Sequence, residues 1–310
     1  MATKAFYNDP LELRKRMDEW ERSLVEKLGP VDDRIEEFYY TIALPDGYGV
    51  RSKIWKPKAS ATNPRPVILL FHGGGFILGS AEMCTRPGRE FAMEFDAVVI
   101  SATYRLAPEH QFPQQALDGL EVLRWVVDNA EEEFGASPGA GLIVGGYSAG
   151  GNVAAVVASE ARFMSLRYPI TGSFICIALL FTERTVPQKY KPLFTSREEN
   201  DIPPAGKQSV SDCISNAGAD SSSPLFCAVH HAKGLRGLPR TAMQVGGKDV
   251  MRDDCVVYAR LLEDAGIEVR LDNHAEIGHG AWTIFTDMNA PTSDMLKEKT
   301  LDAIRWLLRR

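Results

Sequence analysis

Gly146-Tyr147-Ser148-Ala149-Gly150 is the segment of this chain best suited to chemistry. It matches G-x-S-x-G, continues into Gly151, and lies between the apolar run Leu142-Ile143-Val144 and a stretch rich in Ala and Val. A serine on a tight strand-to-helix turn is held in a strained backbone, flanked by small residues, with a helix amino end behind it. Its hydroxyl is then exposed at the carboxyl end of the strand, where it can act as a nucleophile. His72-Gly73-Gly74-Gly75-Phe76 follows a second apolar run, Val67-Ile68-Leu69-Leu70-Phe71. Successive glycines let backbone N–H groups approach a developing oxyanion, and each such donor contributes about 3–4 kcal/mol of transition-state stabilisation. A plain turn or a phosphate cradle would also use glycines. No Lys-Ser/Thr follows, however, and the spacing fits neither G-x-G-x-x-G nor a P-loop.

A serine nucleophile needs a base. The histidines are His72, His110, His230, His231, His274 and His279. In the chain order serine, acid, histidine, only His274 and His279 lie beyond the last predicted strand. His279, in Gly278-His279-Gly280, sits on a loop tip suited to presenting an imidazole, whereas His274 is expected to end the strand or face solvent. His279 is therefore the favoured base, and kcat/KM should rise with pH through an apparent pKa near 7. Asp249 follows the predicted strand 241–245 through Gly246-Gly247-Lys248, where a carboxylate can accept the imidazole N–H and hold the productive tautomer. Asp253 and Asp254 read as caps of the next helix, and Asp272 is a weaker alternative acid. The run His274-Ala275-Glu276-Ile277-Gly278-His279 has metal-ligand residue types, but the zincin H-E-x-x-H pattern needs a helix and this run contains a loop glycine. No metal and no other cofactor is expected.

The elements that must carry these residues follow from periodicity. Residues 9–28 read as an amphipathic helix: Asp9 as N-cap, Pro10 at the first position, Glu12 completing a capping box. Leu13, Met17, Trp20, Leu24 and Leu28 form its apolar stripe, which packs on the body and can roof a pocket. Strands are predicted at 50–56, 67–71, 97–100, 142–144, 174–180, 241–245 and 267–271. Helices are predicted at 114–129, 148–162, 253–265 and 294–308. Short, wholly apolar runs alternating with helices imply an α/β doubly wound, mostly parallel sheet covered on both faces. Residues 181–238 break the rhythm with Pro, Ser, Lys and Glu and no clear strand, as a functional insertion above the sheet would.

Bulk composition narrows the partners. The 310 residues are 45% hydrophobic and 25% charged, with 35 basic against 41 acidic side chains and a net charge of −6. That balance argues against nucleic acid or an anionic membrane as partner. Cys84, Cys176, Cys213, Cys227 and Cys255 are scattered and never form C-x-x-C, which fits a reducing compartment. The opening Met1-Ala2-Thr3-Lys4 leads into polar sequence without the apolar core of a secretory signal, and no stretch is long and apolar enough to span a bilayer. A cytoplasmic protein without integral membrane contact is expected, and the sequence leaves room for a homodimer.

Taken together, these motifs resemble those of the hormone-sensitive-lipase-like carboxylesterases of the α/β-hydrolase fold. His72-Gly73-Gly74-Gly75-Phe76 with Gly79-Ser80 resembles the family's glycine motif. Tyr104-Arg105-Leu106-Ala107-Pro108-Glu109-His110, with Phe112-Pro113 and Asp118, resembles its second signature. Asp249-Val250-Met251-Arg252-Asp253-Asp254 is similar to its D-x-L-x-D-E acid motif, and His279-Gly280 to its final one. The resemblance implies Ser148, Asp249 and His279 as a triad and Gly74, Gly75 and Ala149 as oxyanion donors. It implies a cap built from the N-terminal helix and the insertion, giving a cap segment at 1–45, a core at 46–180 and 239–310, and a cap insertion at 181–238. Two departures stand out: Tyr147 where the family commonly has Asp, and Ala281-Trp282 where Phe usually follows His-Gly. Phe76, Tyr147 and Trp282 are accordingly expected at the substrate pocket. The expected partner is a small-molecule ester, cleaved by way of an acyl-enzyme. The same triad could instead release a thioester, transesterify or lactonise, and a non-catalytic receptor is the reading from another class, against which the intact triad counts.

Overall fold

The apolar runs become the inner strands of one sheet. The computed structural model describes residues 10–59, 63–202, 206–286, 290 and 292–310. Its strands are Ile35–Ala43 (β1), Gly49–Pro57 (β2), Val67–Phe71 (β3), Val98–Ala102 (β4), Leu142–Tyr147 (β5), Gly172–Cys176 (β6), Arg240–Gly246 (β7) and Val269–His274 (β8). They form an 8-stranded sheet in the order β1-β2-β4-β3-β5-β6-β7-β8. The pairs β1/β2 and β2/β4 are antiparallel and all later pairs are parallel. The helices are Pro10–Lys27 (α1), Thr85–Phe95 (α2), Gln114–Phe134 (α3), Ala149–Ala161 (α4), Ser196–Glu199 (α5), Lys207–Asn216 (α6), Arg252–Asp264 (α7) and Thr292–Leu308 (α8).

Alternation along the strands feeds two cores. Val67, Leu69 and Phe71 of β3 join α3, α4 and α7 on one face. Ile68 and Leu70 join α2 and α8 on the other. Every residue of β3 is buried, which is why the strand reads as a continuous apolar run rather than an alternating one. Burying each such side chain stabilises the fold by roughly 1.5–3 kcal/mol.

Several boundaries differ from the sequence reading. β1 was not foreseen, and it pairs with β2 from Ile35 to Ala43, so the sheet begins ahead of position 46. α2 was hidden by Pro87 and Gly88, and the glycine is needed because a Cβ there would lie 2.3 Å from the Trp55 ring. β6 stops at Cys176 rather than 180, because Ile177 turns to φ 45° and takes the chain off the sheet. α3 continues past 129 to Phe134 and closes on Gly135 at φ 66°. The insertion 181–238 holds helical turns, α5 and α6, and no strand among its described residues.

α1 runs as the periodicity requires, although Asp9, the expected N-cap, and Met1–Lys4 lie outside the described residues. Its inward face carries Leu13, Met17 and, unexpectedly, a fully buried Glu21. Trp20 is 49% exposed and instead stacks on Phe285, with ring centroids 4.6 Å apart. None of the described helices is long and apolar enough to cross a membrane.

Candidate active site

The loops that follow β3, β5, β7 and β8 meet above the carboxyl edge of the sheet. At the end of β5, Ser148 adopts φ 55° and ψ −120°, a strained conformation for a residue with a side chain. The turn is tight enough to demand glycine on both sides. A Cβ on Gly146 would lie 2.2 Å from Gly150 O, and one on Gly150 would lie 2.2 Å from Phe71 O. The Ser148 N–H is tied to Cys176 O at 3.0 Å, so β6 helps hold the turn.

Asp249 follows β7 and His279 follows β8. The Asp249 N–H donates to Gly246 O at 3.1 Å, which closes the acid loop. Its Oδ1 accepts the Met251 N–H at 2.8 Å, and its Oδ2 lies 2.8 Å from His279 Nδ1. The histidine loop is laced to the same turn, with the Lys248 N–H donating to Ile277 O at 3.0 Å and the Gly247 N–H to His274 O at 2.8 Å. His279 Nε2 lies 3.0 Å from Ser148 Oγ. Burial alone pushes the imidazole's pKa down, but the Asp249 carboxylate outweighs that and holds it above its ordinary value. An imidazole whose Nδ1–H is given to a buried carboxylate presents Nε2 as the acceptor for the serine proton.

The glycine loop leaves β3 and turns back on itself, with Gly74 O accepting the N–H groups of Ile77 and Leu78. Gly74 has φ 113°, and a Cβ there would lie 2.2 Å from Leu78 O, so the turn closes only around glycine. Among the described residues, the N–H groups of Gly74, Gly75 and Ala149 have no protein acceptor. The second signature braces this loop. Tyr104 stacks on His72 at 4.5 Å and donates its hydroxyl to His72 O at 2.9 Å. Asp118 accepts the Arg105 N–H at 2.8 Å and its guanidinium at 2.6 Å. His72 is fully buried, which pushes its pKa down to about 4 and keeps it neutral.

Ser148, His279 and Gly73–Gly75 open on a cavity of about 600 Å³. Its walls are mostly apolar: Met17 from α1, Leu78, Met83, Ile177, Leu179, Met251 and Phe285, with Val210 and Cys213 from α6. Gln208, Ser209, Asp201 and Asp212 add polar groups on the insertion side. Of the expected pocket residues, Tyr147 borders the cavity but is fully buried. It shares the strand face of Ile143, packs edge-on against Phe174 at 5.9 Å, and leaves its hydroxyl without a partner among the described residues. Phe76 and Trp282 do not line the cavity, which corrects the expectation for both. Phe76 turns toward Phe226 beneath the loop, and Trp282 packs into the second core beside His274. Residues next to a motif need not point where the motif points. Phe285, three positions beyond Trp282, takes the wall position instead, and only its aromatic character signalled it.

Other candidates find different work. His274 is buried at the end of β8, and Asp272 pairs with Arg270 at 3.2 Å. Asp253 and Asp254 are not caps of their own helix. Asp253 accepts the N–H groups of Thr195 and Ser196, both at 2.7 Å. Asp254 accepts those of Leu180 and Phe181 and pairs with Arg197 at 2.9 Å. The two carboxylates thus tie both ends of the early insertion to the turn carrying Asp249. Among the described residues no group of His, Cys, Asp and Glu is arranged to hold a metal ion.

A protein-family profile described as the alpha/beta hydrolase fold matches residues 68–283. The chain is 34% identical over 230 residues to the esterase LipI of Mycobacterium tuberculosis, covering 73% of this chain and 68% of LipI. It is 36% identical over 221 residues to the carboxylesterase NlhH of the same organism, covering 69% of this chain and 66% of that one. Among solved structures, vibralactone cyclase superposes with a TM-score of 0.88 at 26% identity, covering 98% of this chain and 90% of the other.

Proposed function

The chain belongs to the hormone-sensitive-lipase-like carboxylesterases of the α/β-hydrolase fold, and from that premise we propose that it hydrolyses carboxylic esters through an acyl-enzyme formed on Ser148. One observation carries the reading. Ser148 Oγ, His279 Nε2, His279 Nδ1 and Asp249 Oδ2 form a continuous line of contacts of 3.0 and 2.8 Å at the floor of the cavity. Neutral His279 takes the Ser148 proton as Oγ bonds to the ester carbonyl carbon, and the carbonyl oxygen becomes an oxyanion facing the Gly74, Gly75 and Ala149 N–H groups. The imidazolium then protonates the departing alcohol. Water repeats the sequence on the acyl-enzyme and frees Ser148. Asp249 keeps its charge throughout and fixes the tautomer.

A mostly apolar cavity of about 600 Å³ suits a short- to medium-chain acyl group or a compact small-molecule ester. We read α1 and residues 181–238 as the cap over it, since both contribute wall residues. The scattered cysteines favour a reducing, cytoplasmic setting. A second reading, intramolecular acyl transfer that closes a lactone, is favoured by the likeness to vibralactone cyclase over nearly the whole chain. The test is hydrolysis of p-nitrophenyl esters from acetate to palmitate, with Ser148→Ala as the blank and added alcohols as rival acceptors. Turnover of the short esters that vanishes in the variant supports the esterase. Products carrying only the added alcohol, or lactone rather than free acid from a hydroxyacyl p-nitrophenyl ester, support the second reading, and turnover that survives Ser148→Ala rules out both.

A further inference from the structure

α1 grips the glycine loop at two points on one face. Arg14 and Glu21 are seven residues apart, two helical turns, and so project in the same direction. Arg14 donates to Ile77 O at 2.7 Å and to Ala107 O, and pairs with Glu109 at 2.5 Å. Glu21 is fully buried, and its Oε2 contacts Ser80 Oγ at the far end of the loop. Gly79, bonded to Ser80, lies against the start of the loop: a Cβ there would be 2.4 Å from Gly73 O and 2.6 Å from His72 Nδ1. Moving Ser80 therefore moves the backbone that leads into Gly74 and Gly75.

Counting protons at Ser80 gives the state of Glu21. The hydroxyl has one hydrogen and lies within hydrogen-bonding distance of two carboxyl groups, Glu21 and, at 2.8 Å, Glu82. Glu82 is ionised: Arg51 reaches its two oxygens at 2.6 and 2.9 Å and Tyr39 donates at 2.6 Å. These partners outweigh its burial and hold its pKa down to about 2. The Ser80 hydrogen goes to that charge, so the contact with Glu21 needs a hydrogen from Glu21 itself. The other oxygen, Glu21 Oε1, is buried without a hydrogen-bond partner among the described residues, which a carboxylate would not tolerate.

We propose that Glu21 is a positioning residue for the oxyanion-binding loop and that it works in its protonated form, donating to Ser80 and so holding Gly74 and Gly75 in register with Ser148. The proposal rests on the reading of those glycines as oxyanion donors. Asp18 on α1 and Glu82 and Cys84 on the turn after Ser80 are the charged and titratable groups that act on Glu21, while Arg14 on α1, Arg51 on β2 and Tyr39 on β1 act on Asp18 or Glu82. The arginine contacts described serve Glu82 and Glu109 rather than Glu21. Burial, reinforced by Asp18 and Glu82, outweighs the opposing pull of the Ser80 hydroxyl and backbone N–H and pushes the Glu21 pKa up to about 8. Above that pH two carboxylates would face one hydroxyl hydrogen, and the contact that sets the loop would be lost.

The test compares kcat and KM of the wild type, Glu21→Gln, Glu21→Ala and Ser80→Ala from about pH 6 to about pH 10 on a short p-nitrophenyl ester. The wild type should lose about tenfold or more in kcat through a pKa near 8, with KM changed by less than about twofold, as expected of a lost transition-state contact. Glu21→Gln, whose amide donates at any pH, should keep most of the neutral kcat that Glu21→Ala and Ser80→Ala lose, and its alkaline fall should vanish. The proposal is overturned if Glu21→Gln falls on the same alkaline limb as the wild type, or if it loses as much neutral kcat as Glu21→Ala. Infrared spectroscopy gives a readout that needs no turnover. The wild type at neutral pH should show a protonated carboxyl band that Glu21→Gln lacks, and its absence overturns the proposal. A wild type without esterase activity would instead count against the proposed function, and the infrared result would still decide the proton on Glu21.

Discussion

Both oxygens of Asp249 are committed, one to the Met251 N–H and one to His279 Nδ1, and the side chain is fully buried. With asparagine there, the oxygen still accepts the Met251 N–H but the amide nitrogen can only donate to Nδ1, which moves the ring proton to Nε2 and leaves no acceptor for the Ser148 hydroxyl. Asp249→Asn is therefore expected to keep the fold, by circular dichroism, and to lose roughly 10⁴-fold in kcat. A rate near that of the wild type would move the orienting acid elsewhere. Because Asp249 raises the His279 pKa, kcat/KM should rise with pH through an apparent value above the ordinary 6.5. A profile flat across that range would contradict the assignment of the base. These residues could be picked from the sequence because the backbone around them is extreme: glycines crowd Ser148, and the order of serine, acid and histidine follows the strands. Phe76 and Trp282 could not be placed that way. Side-chain direction beside a motif depends on φ, ψ and the available core volume, none of which the motif encodes.

At the scale of elements, what matters is how the insertion is fastened. Arg197 lies at the start of the short helix α5, donates to Val250 O at 2.5 Å and pairs with Asp254, with both side chains almost wholly buried. Burial lifts the Asp254 pKa to about 6 even so. Arg197→Ala strands a buried carboxylate next to the Asp249 turn. At neutral pH it should cost about 3–5 kcal/mol in urea denaturation. The sign with pH follows from the partner: Arg197 holds the Asp254 pKa down, so the variant takes up its proton at higher pH than the wild type, and the cost of losing Arg197 shrinks as pH falls toward about 6 and levels off below it. A loss under about 1 kcal/mol at neutral pH would mean that the pair does not anchor the insertion. The acid motif was readable as a motif, but Asp253 and Asp254 looked like helix caps. Their partners lie more than 50 positions away in the chain, beyond the reach of local pattern. β1 escaped notice for a related reason, since its burial follows no clean alternation.

For the whole molecule, the sheet presents the reacting groups at one edge while α1 and the insertion supply walls of the cavity beside them. The doubly wound sheet was legible because its inner strands are apolar on both faces. The cavity was not, because its walls are assembled from segments as distant as Met17, Val210 and Phe285. A cavity of about 600 Å³ implies rates that are highest for short and medium acyl chains and fall toward palmitate. A profile rising to the longest chain would require the cap to open. A covalent intermediate on Ser148 is read by intact-mass analysis after rapid acid quench during turnover of a p-nitrophenyl ester, followed by peptide mapping. A single acyl adduct is expected on the peptide containing Ser148, absent in Ser148→Ala. Turnover with no adduct even when a fluorophosphonate is used as an irreversible trap, or an adduct on another residue, would contradict it.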